Sequence, residues 1–161
     1  MKKLLFLVVA LAMTFGVSAC AKKEKNLEGS LEDILDKIYE NGEYPDSFKE
    51  NTIPNLIVIE INSENVTRFL GTEIDFEEAI ASESNWSTSA YSVCLVRVKE
   101  GVDIEKAKAD ILENVDPWKW ICVGVDKDKV IVDNIGDVII LIMSNNQGEA
   151  IHNAFLALNE E

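Results

Sequence analysis

The side chains that most often carry out chemistry in proteins are few in this chain and lie far apart along it. There is one histidine, His152, and there are three cysteines, Cys20, Cys94 and Cys122. A hydrolytic triad needs a base beside a nucleophile, but the sequence gives His152 no partner and places it next to the apolar stripe of a helix-like segment. Nucleophile-elbow, zinc-protease, phosphate-loop and dinucleotide-binding motifs are absent. We therefore predict a protein that is not an enzyme, binds no cofactor and carries His152 on its surface.

Carboxylates are the one reactive group that is abundant, with 29 aspartates and glutamates in the chain. Two carboxylates flanking a glycosidic bond can cleave it, and Glu77, Glu78 and Glu83 lie close in sequence to Trp86. Such pairs are defined by their spacing in three dimensions, and an acidic surface is expected for solubility alone. A carboxylate-dependent hydrolase is therefore the alternative function.

Four aspartates, Asp126, Asp128, Asp133 and Asp137, lie near two predicted hairpin turns, and calcium is bound by several oxygens of this kind. Their spacing does not match an EF-hand loop, because Val130 occupies a ligand position and no glycine follows it. Aspartate is also common in exposed turns, and no Cys/His ligand spacing occurs. We therefore predict no metal site.

Two tryptophans, Trp118 and Trp120, are the most distinctive candidates for binding. If the segment WKWICVGV is a strand, residues 118, 120 and 122 share one face, because side chains alternate along a strand. The two indoles could then form a platform that stacks on a sugar ring or anchors a protein partner, with Gly124 leaving space beside them. The alternative is that a helix over 103–115 covers both tryptophans, since large aromatic side chains are mostly buried.

The residues before Cys20 have the layout of a bacterial export signal. Lys2 and Lys3 precede an apolar run over 4–17, which is shorter than the roughly 20 residues of a membrane span. The tetrad VSAC that ends at Cys20 resembles the lipoprotein box, in which the cysteine thiol receives a diacylglyceryl group and becomes the first mature residue. The alternative is a secreted protein whose first mature residue is an unmodified cysteine.

This interpretation divides the chain into a signal peptide (1–19), a lysine-containing tether anchored by lipid at Cys20 (20–29) and a single domain (30–161). Acyl chains such as palmitate at Cys20 would hold the protein on the outer face of the cell membrane. Export also permits a disulfide between Cys94 and Cys122. We favour the other arrangement, in which both are buried free thiols, because two cysteines make no disulfide framework.

Composition and charge narrow the class of partner. The chain has 15 basic and 29 acidic side chains, a net charge of −14 at pH 7, and 47% hydrophobic residues. An acidic surface does not suit nucleic acid, whose phosphates need basic partners. The apolar content and the length are sufficient for one domain with a substantial core. We therefore expect contact with the membrane through the lipid at Cys20 and no nucleic-acid partner.

The elements that must position these residues follow from periodicity and turn signals. Helical spacing predicts helices over 30–41, after Ser63, over 103–115 and over 147–158. Runs of β-forming residues predict strands over 55–61, 89–99, 118–125, 129–133 and 137–143, and residues 74–83 are ambiguous between strand and helix. Strands that are neighbours in sequence, with helices at intervals, indicate an α+β fold with an antiparallel-rich sheet and helices packed on one face.

Four blocks of residues 30–158 are similar to an uncharacterised domain of lipoproteins from Gram-positive anaerobic bacteria: VTRFLGTE, SVCLVRVKEGVDIEKAK, DPWKWICVGV and KVIVDNIGDVIILIMS. Members of that family also open with a lipoprotein box. The resemblance implies an envelope lipoprotein and implies no activity, ligand or catalytic residue.

The sequence thus predicts a non-enzymatic cell-envelope lipoprotein that binds another envelope component, either a protein or a glycan. The alternative is a carboxylate-dependent cell-wall hydrolase. A small-solute receptor is the least favoured function, because a single domain lacks the two lobes that close around a solute.

Overall fold

The computed structural model describes residues 26–160. The helices of this part are α1 (Leu31–Asn41), α2 (Asp46–Asn51), α3 (Val66–Leu70), α4 (Ile104–Asn114) and α5 (Gly148–Ala157). The strands are β1 (Leu56–Glu60), β2 (Phe76–Ser84), β3 (Tyr91–Val98), β4 (Val130–Ile135) and β5 (Val138–Ser144). None of these helices is long and apolar enough to cross a membrane.

The five strands form one sheet in the order β1-β2-β3-β5-β4, and every neighbouring pair is antiparallel. The α+β class and the antiparallel sheet are therefore confirmed. The ambiguous segment 74–83 contributes β2, which pairs with β1 on one side and β3 on the other. The strand β3 lies at the centre, where it joins the β1-β2 pair to the β4-β5 hairpin.

The predicted helix ends agree with the structure where the sequence carries a cap. Ser30 and Asp33 form a capping box at the start of α1, and Gly42 ends that helix. Asp103 caps α4 by accepting a hydrogen bond from the backbone N–H of Lys106. The helix α2 was not predicted, because its six residues show no apolar periodicity.

The prediction that helices pack on one face of the sheet is wrong. Alternate residues of β3 and β5 belong to two separate apolar cores: α1, α2 and α5 cover the first, while α3 and α4 cover the second. The reason is visible in β5, VIILIMS, which is buried along its whole length. A strand without a polar face needs cover on both sides.

The predicted strand over 118–125 is not formed, and these residues make a loop that follows α4. Cys122 has a φ of 62°, a left-handed conformation that ends extended structure and is uncommon outside glycine. The loop lies against one end of the sheet, which we call the free end: here β2 ends at Ser84 and β3 begins at Tyr91.

The chain enters the fold at the opposite end, which we call the tether end. Arg97, on β3, donates one hydrogen bond to the carbonyl of Leu27 (2.9 Å) and another to the carbonyl of Gly29 (2.8 Å). Its guanidinium also lies 3.4 Å from a carboxylate oxygen of Asp137. The last residues of the predicted tether are therefore fixed to the central strand. The proposed signal peptide and Cys20 lie outside the described residues.

Gly71 should be intolerant of any side chain. It ends α3 with a φ of +74°, and an added Cβ would lie 2.3 Å from the backbone of Asn114 at the end of α4. We expect Gly71→Ala to cost about 1–2 kcal/mol for the left-handed backbone and about 1–3 kcal/mol more for the clash, measured by urea unfolding. Gly101→Ala is the control, because Gly101 has a φ of +91° and no atom within 4 Å of the added Cβ. Equal losses in the two variants would contradict the close approach of α3 and α4.

Candidate functional site

A buried ion pair holds the 116–126 loop against the free end of the sheet. The Nζ of Lys119 lies 2.6 Å from Oε1 of Glu83, and the two side chains are only 5% and 6% exposed. Glu83 lies near the end of β2, directly opposite Ser92 on β3. The Lys119 Nζ is also 3.4 Å from the Ser92 hydroxyl. Nothing in the sequence indicated a buried Lys119, but its side chain points into the domain.

The pair is held by electrostatics more than by hydrogen bonds. The short contact to Glu83 lies outside hydrogen-bond geometry, and Oε1 has no hydrogen-bond donor within residues 26–160. Two aromatic rings complete the surroundings of the ammonium group: the ring of Phe69 is 4.8 Å away and that of Trp120 is 5.2 Å away. Phe69, Trp120 and Glu83 together enclose the ammonium group, and the two rings attract it through cation–π interaction.

The buried lysine separates the two tryptophans that the sequence placed side by side. Trp120 turns inward and packs against the second core, whereas Trp118 is 64% exposed. The proposed platform of Trp118 and Trp120 on one strand face is therefore not formed. Nor does α4 cover both indoles, because Trp118 packs on Gly124, where an added Cβ would lie 2.5 Å from the ring.

The free end instead carries three exposed apolar side chains from two loops. Trp86 is 68% exposed and Ile121 is 62% exposed, values close to that of Trp118. The backbone N–H of Ile121 donates to the carbonyl of Ser87 at 3.2 Å, which joins the 85–90 loop to the 116–126 loop. Large apolar groups exposed together at one end of a domain are typical of a contact surface.

A groove with a volume of about 820 Å³ lies at the tether end. It is lined by five carboxylates and two lysines: Glu77, Glu100, Glu105, Asp133, Asp137, Lys99 and Lys108. Several of the carboxylates already have cationic partners, since Asp137 meets Arg97 and Glu105 meets Lys108. Among the described residues, no group of three or more His, Cys, Asp or Glu side chains is arranged to hold a metal ion.

His152 has the partner that the sequence could not identify. Its Nε2 lies 2.7 Å from Oδ2 of Asp133 on β4. Burial raises the pKa of the Asp133 carboxyl, but the hydrogen bonds from His152 and the Asn134 backbone, with the nearby charges, outweigh it, and the pKa lies below its ordinary value. No serine, threonine or cysteine of the described chain hydrogen-bonds to His152, so the pair lacks the nucleophile of a triad.

The cysteines within the described residues are both free. Cys94 is completely buried on β3, and burial raises the pKa of its thiol to about 11. Cys122 is exposed in the loop at the free end. The disulfide between them is not formed, and the favoured arrangement of two buried thiols holds for Cys94 alone.

Comparison of the chain with protein-family models, curated proteins and solved structures found no match in any of the three. The resemblance to a lipoprotein family therefore stays a prediction, and the function has to be argued from the geometry of the free end.

Sequence reasoning missed the buried pair, the Arg97 contacts and the His152 partner. The only signal for the pair was a lysine between two tryptophans in an otherwise apolar segment. Its partner, Glu83, is far away in sequence, and only the packing of the sheet brings the two together.

The buried pair predicts a large loss of stability when one partner is removed. Lys119→Met leaves Glu83 buried and uncompensated, so we expect a cost of about 3–5 kcal/mol in urea unfolding. Adding Glu83→Leu should restore most of the lost stability, because an apolar pair of similar size needs no charge compensation. Lys106→Met is the control: Lys106 forms an exposed pair with Asp110, whose attraction water largely screens, so we expect little change in stability. A single-variant cost as small as the control's would contradict the role of the pair.

Thiol reactivity should separate the two cysteines of the domain. In a chain carrying Cys20→Ala, we expect Cys122 to react with a maleimide in the native state, because it is exposed. Cys94 should react only after denaturation, because it is buried and its thiol stays protonated at neutral pH. Mass spectrometry of the labelled peptides gives the result. If neither cysteine reacts until a reductant is added, a disulfide joins them.

Proposed function

We propose that this protein is a non-enzymatic lipoprotein of the bacterial cell envelope, anchored at Cys20 to the outer face of the cell membrane, whose free end binds another envelope component. The observation that carries the proposal is the position of Trp118. It is exposed on a loop that a buried ion pair fixes, at the end of the sheet opposite the point where the tether enters.

The two ends of the sheet have different chemistry, which supports a division of roles. The tether end carries the carboxylate groove and the Arg97 contacts. The free end carries Trp86, Trp118 and Ile121 in two joined loops. Exposed tryptophans are enriched among the residues that dominate binding energy at interfaces. A domain tethered at one end presents the other end to its surroundings.

Rigidity of the loop also favours binding. An exposed aromatic side chain on a mobile loop loses conformational freedom when it binds, which weakens affinity. Here Lys119, the residue next to Trp118, is buried between Glu83 and two rings, so the backbone is already fixed. The indole is therefore preorganised for contact.

The alternative function, a carboxylate-dependent cell-wall hydrolase, would use the groove at the tether end. Five carboxylates line it, and this observation is what favours it. A general acid at neutral pH needs a raised pKa, whereas the pKa of Asp133 is shifted in the opposite direction. The groove would also face the membrane. We therefore give the alternative second place.

The proposal is tested by photo-crosslinking in living cells. A photoreactive phenylalanine analogue replaces Ile121 at the free end. As a control, the same analogue replaces the exposed Glu105, which lines the groove at the tether end. We expect the probe at 121 to capture one component and the probe at 105 to capture none of it. Trp118→Ala should lower the yield about tenfold or more, because an interface tryptophan is often worth about 2 kcal/mol.

Two further measurements bear on the anchor and on catalysis. Cys20→Ala should abolish labelling by a palmitate analogue and release the protein from the membrane fraction.

Equal capture from both probe positions, or none from either, would contradict binding at the free end. Hydrolysis of cell-wall material by the purified protein, abolished by Asp133→Asn and unaffected by Trp118→Ala, would establish the alternative instead.

A further inference from the structure

A second groove, with a volume of about 560 Å³, lies at the free end beside the Trp118 loop. This is within the size range of small-ligand sites. Its walls come from α2, from the residues that precede and begin β3, from Val123 and Gly124, and from the turn after β5. Gly124 also carries the ring of Trp118, so the exposed indole stands next to the groove.

The lining of this groove contains no aspartate, glutamate, lysine, arginine or histidine. This is unusual in a chain with 44 ionisable side chains of the first four types and a net charge of −14. Four other grooves of the described chain each contain both acidic and basic side chains. Tyr91 also stays neutral, because burial raises the pKa of its phenol well above the usual value. A charged ligand would lose hydration here and gain no counter-charge.

The groove is nevertheless rich in hydrogen-bonding groups that the protein does not use. Six amide and hydroxyl residues line it, and their side chains have no hydrogen-bond partner in the described part of the chain: Ser47, Asn51, Thr52, Ser89, Asn146 and Gln147. Amides and hydroxyls both donate and accept, as the hydroxyl and acetamido groups of a sugar do. Asn145 is different, because it accepts from the N–H of Asp126 and donates to the carbonyl of Gly124, which fixes the wall.

An aromatic ring stands at the edge of the groove. Phe48 and Tyr91, with ring centroids 5.8 Å apart, are only 6% and 4% exposed and form its buried floor. The phenol of Tyr91 is engaged with that of Tyr39 at 3.0 Å, so the indole of Trp118, exposed next to the groove, is the ring face open to a ligand. Sugars have apolar faces formed by C–H groups and edges formed by hydroxyls, and aromatic rings combined with amides match both.

We propose that this groove binds an uncharged sugar chain, with Trp118 stacking on a neighbouring ring of the same chain. The inference rests on the proposed function, since it names the chemical class of the envelope component. Recognition is by hydrogen bonds from Asn51, Asn146 and Gln147 and by stacking on the exposed ring of Trp118. Charge takes no part in it.

The test is a binding assay with the lipidated protein in detergent micelles. The neutral probes are two tetramers, one of β-1,4-linked N-acetylglucosamine and one of β-1,4-linked glucose. A polygalacturonate oligomer serves as the anionic probe. We expect a neutral probe to bind and the anionic one to bind at least about tenfold more weakly. Gln147→Ala and Asn146→Ala should each weaken binding about fivefold, the value of one hydrogen bond. Asn153→Ala, an exposed amide on α5, is the matched control and should change nothing.

The outcomes separate this inference from the proposed function. If no neutral probe binds, while the probe at 121 still captures a protein in a Trp118-dependent way, the sugar site is wrong and the proposed function stands. Equal binding of the anionic oligomer would overturn the inference, as would binding that Gln147→Ala and Asn146→Ala leave unchanged. If sugars bind as expected but crosslinking captures nothing, binding at the groove stands and the role in the cell does not. Urea unfolding of each variant shows that a loss of binding is not a loss of fold.

Discussion

The central strands of the sheet are apolar on both faces, and this constraint determines most of the structure. Residues of β3 and β5 alternate between two cores, so each face needs its own cover. The helices α1 and α5 supply it on one side. On the other side α3 and α4 cover only part of the face, and the loop over 116–126 completes the cover with Trp120 and Val125. The loop at the free end is therefore part of the core as well as of the surface.

Glu83 makes this cover difficult, because it is a carboxylate on the buried face of β2. Lys119 provides the opposite charge and is itself enclosed by Phe69 and Trp120. A buried pair of this kind seldom increases stability above that of an apolar pair, but it does penalise every arrangement that separates the charges. It therefore fixes the register of the loop. The backbone beside Trp118 is thereby fixed, while its indole stays exposed.

Much of the fold could be predicted from the sequence, and the parts that could not are those that depend on distant contacts. The capping residues Ser30 and Asp103 act within one helical turn, so local spacing was sufficient for α1 and α4. Cover on both faces was readable in principle from the unbroken apolar run of β5. The burial of Lys119 was not, because lysine is almost always exposed and nothing near it in sequence indicates a carboxylate. The wrong prediction of a strand over 118–125 has the same cause. It assumed that side chains alternate between two faces, whereas the ion pair of Lys119 with Glu83 directs the side chains of this loop.

The contacts of Arg97 have a mechanical consequence for a protein held at one end. A pull on the chain before Leu27 reaches β3, the central strand, through the guanidinium contacts as well as through the backbone that leads into α1. Hydrogen bonds between antiparallel strands run across the strand axis, so the component of this load along β3 shears the bonds to β2 and β5 together. At about 3.3 Å per residue, Arg97 and Tyr91 lie about 20 Å apart along the strand. A domain bound at its free end and anchored at the other would therefore carry a load along the strands on several hydrogen bonds at once.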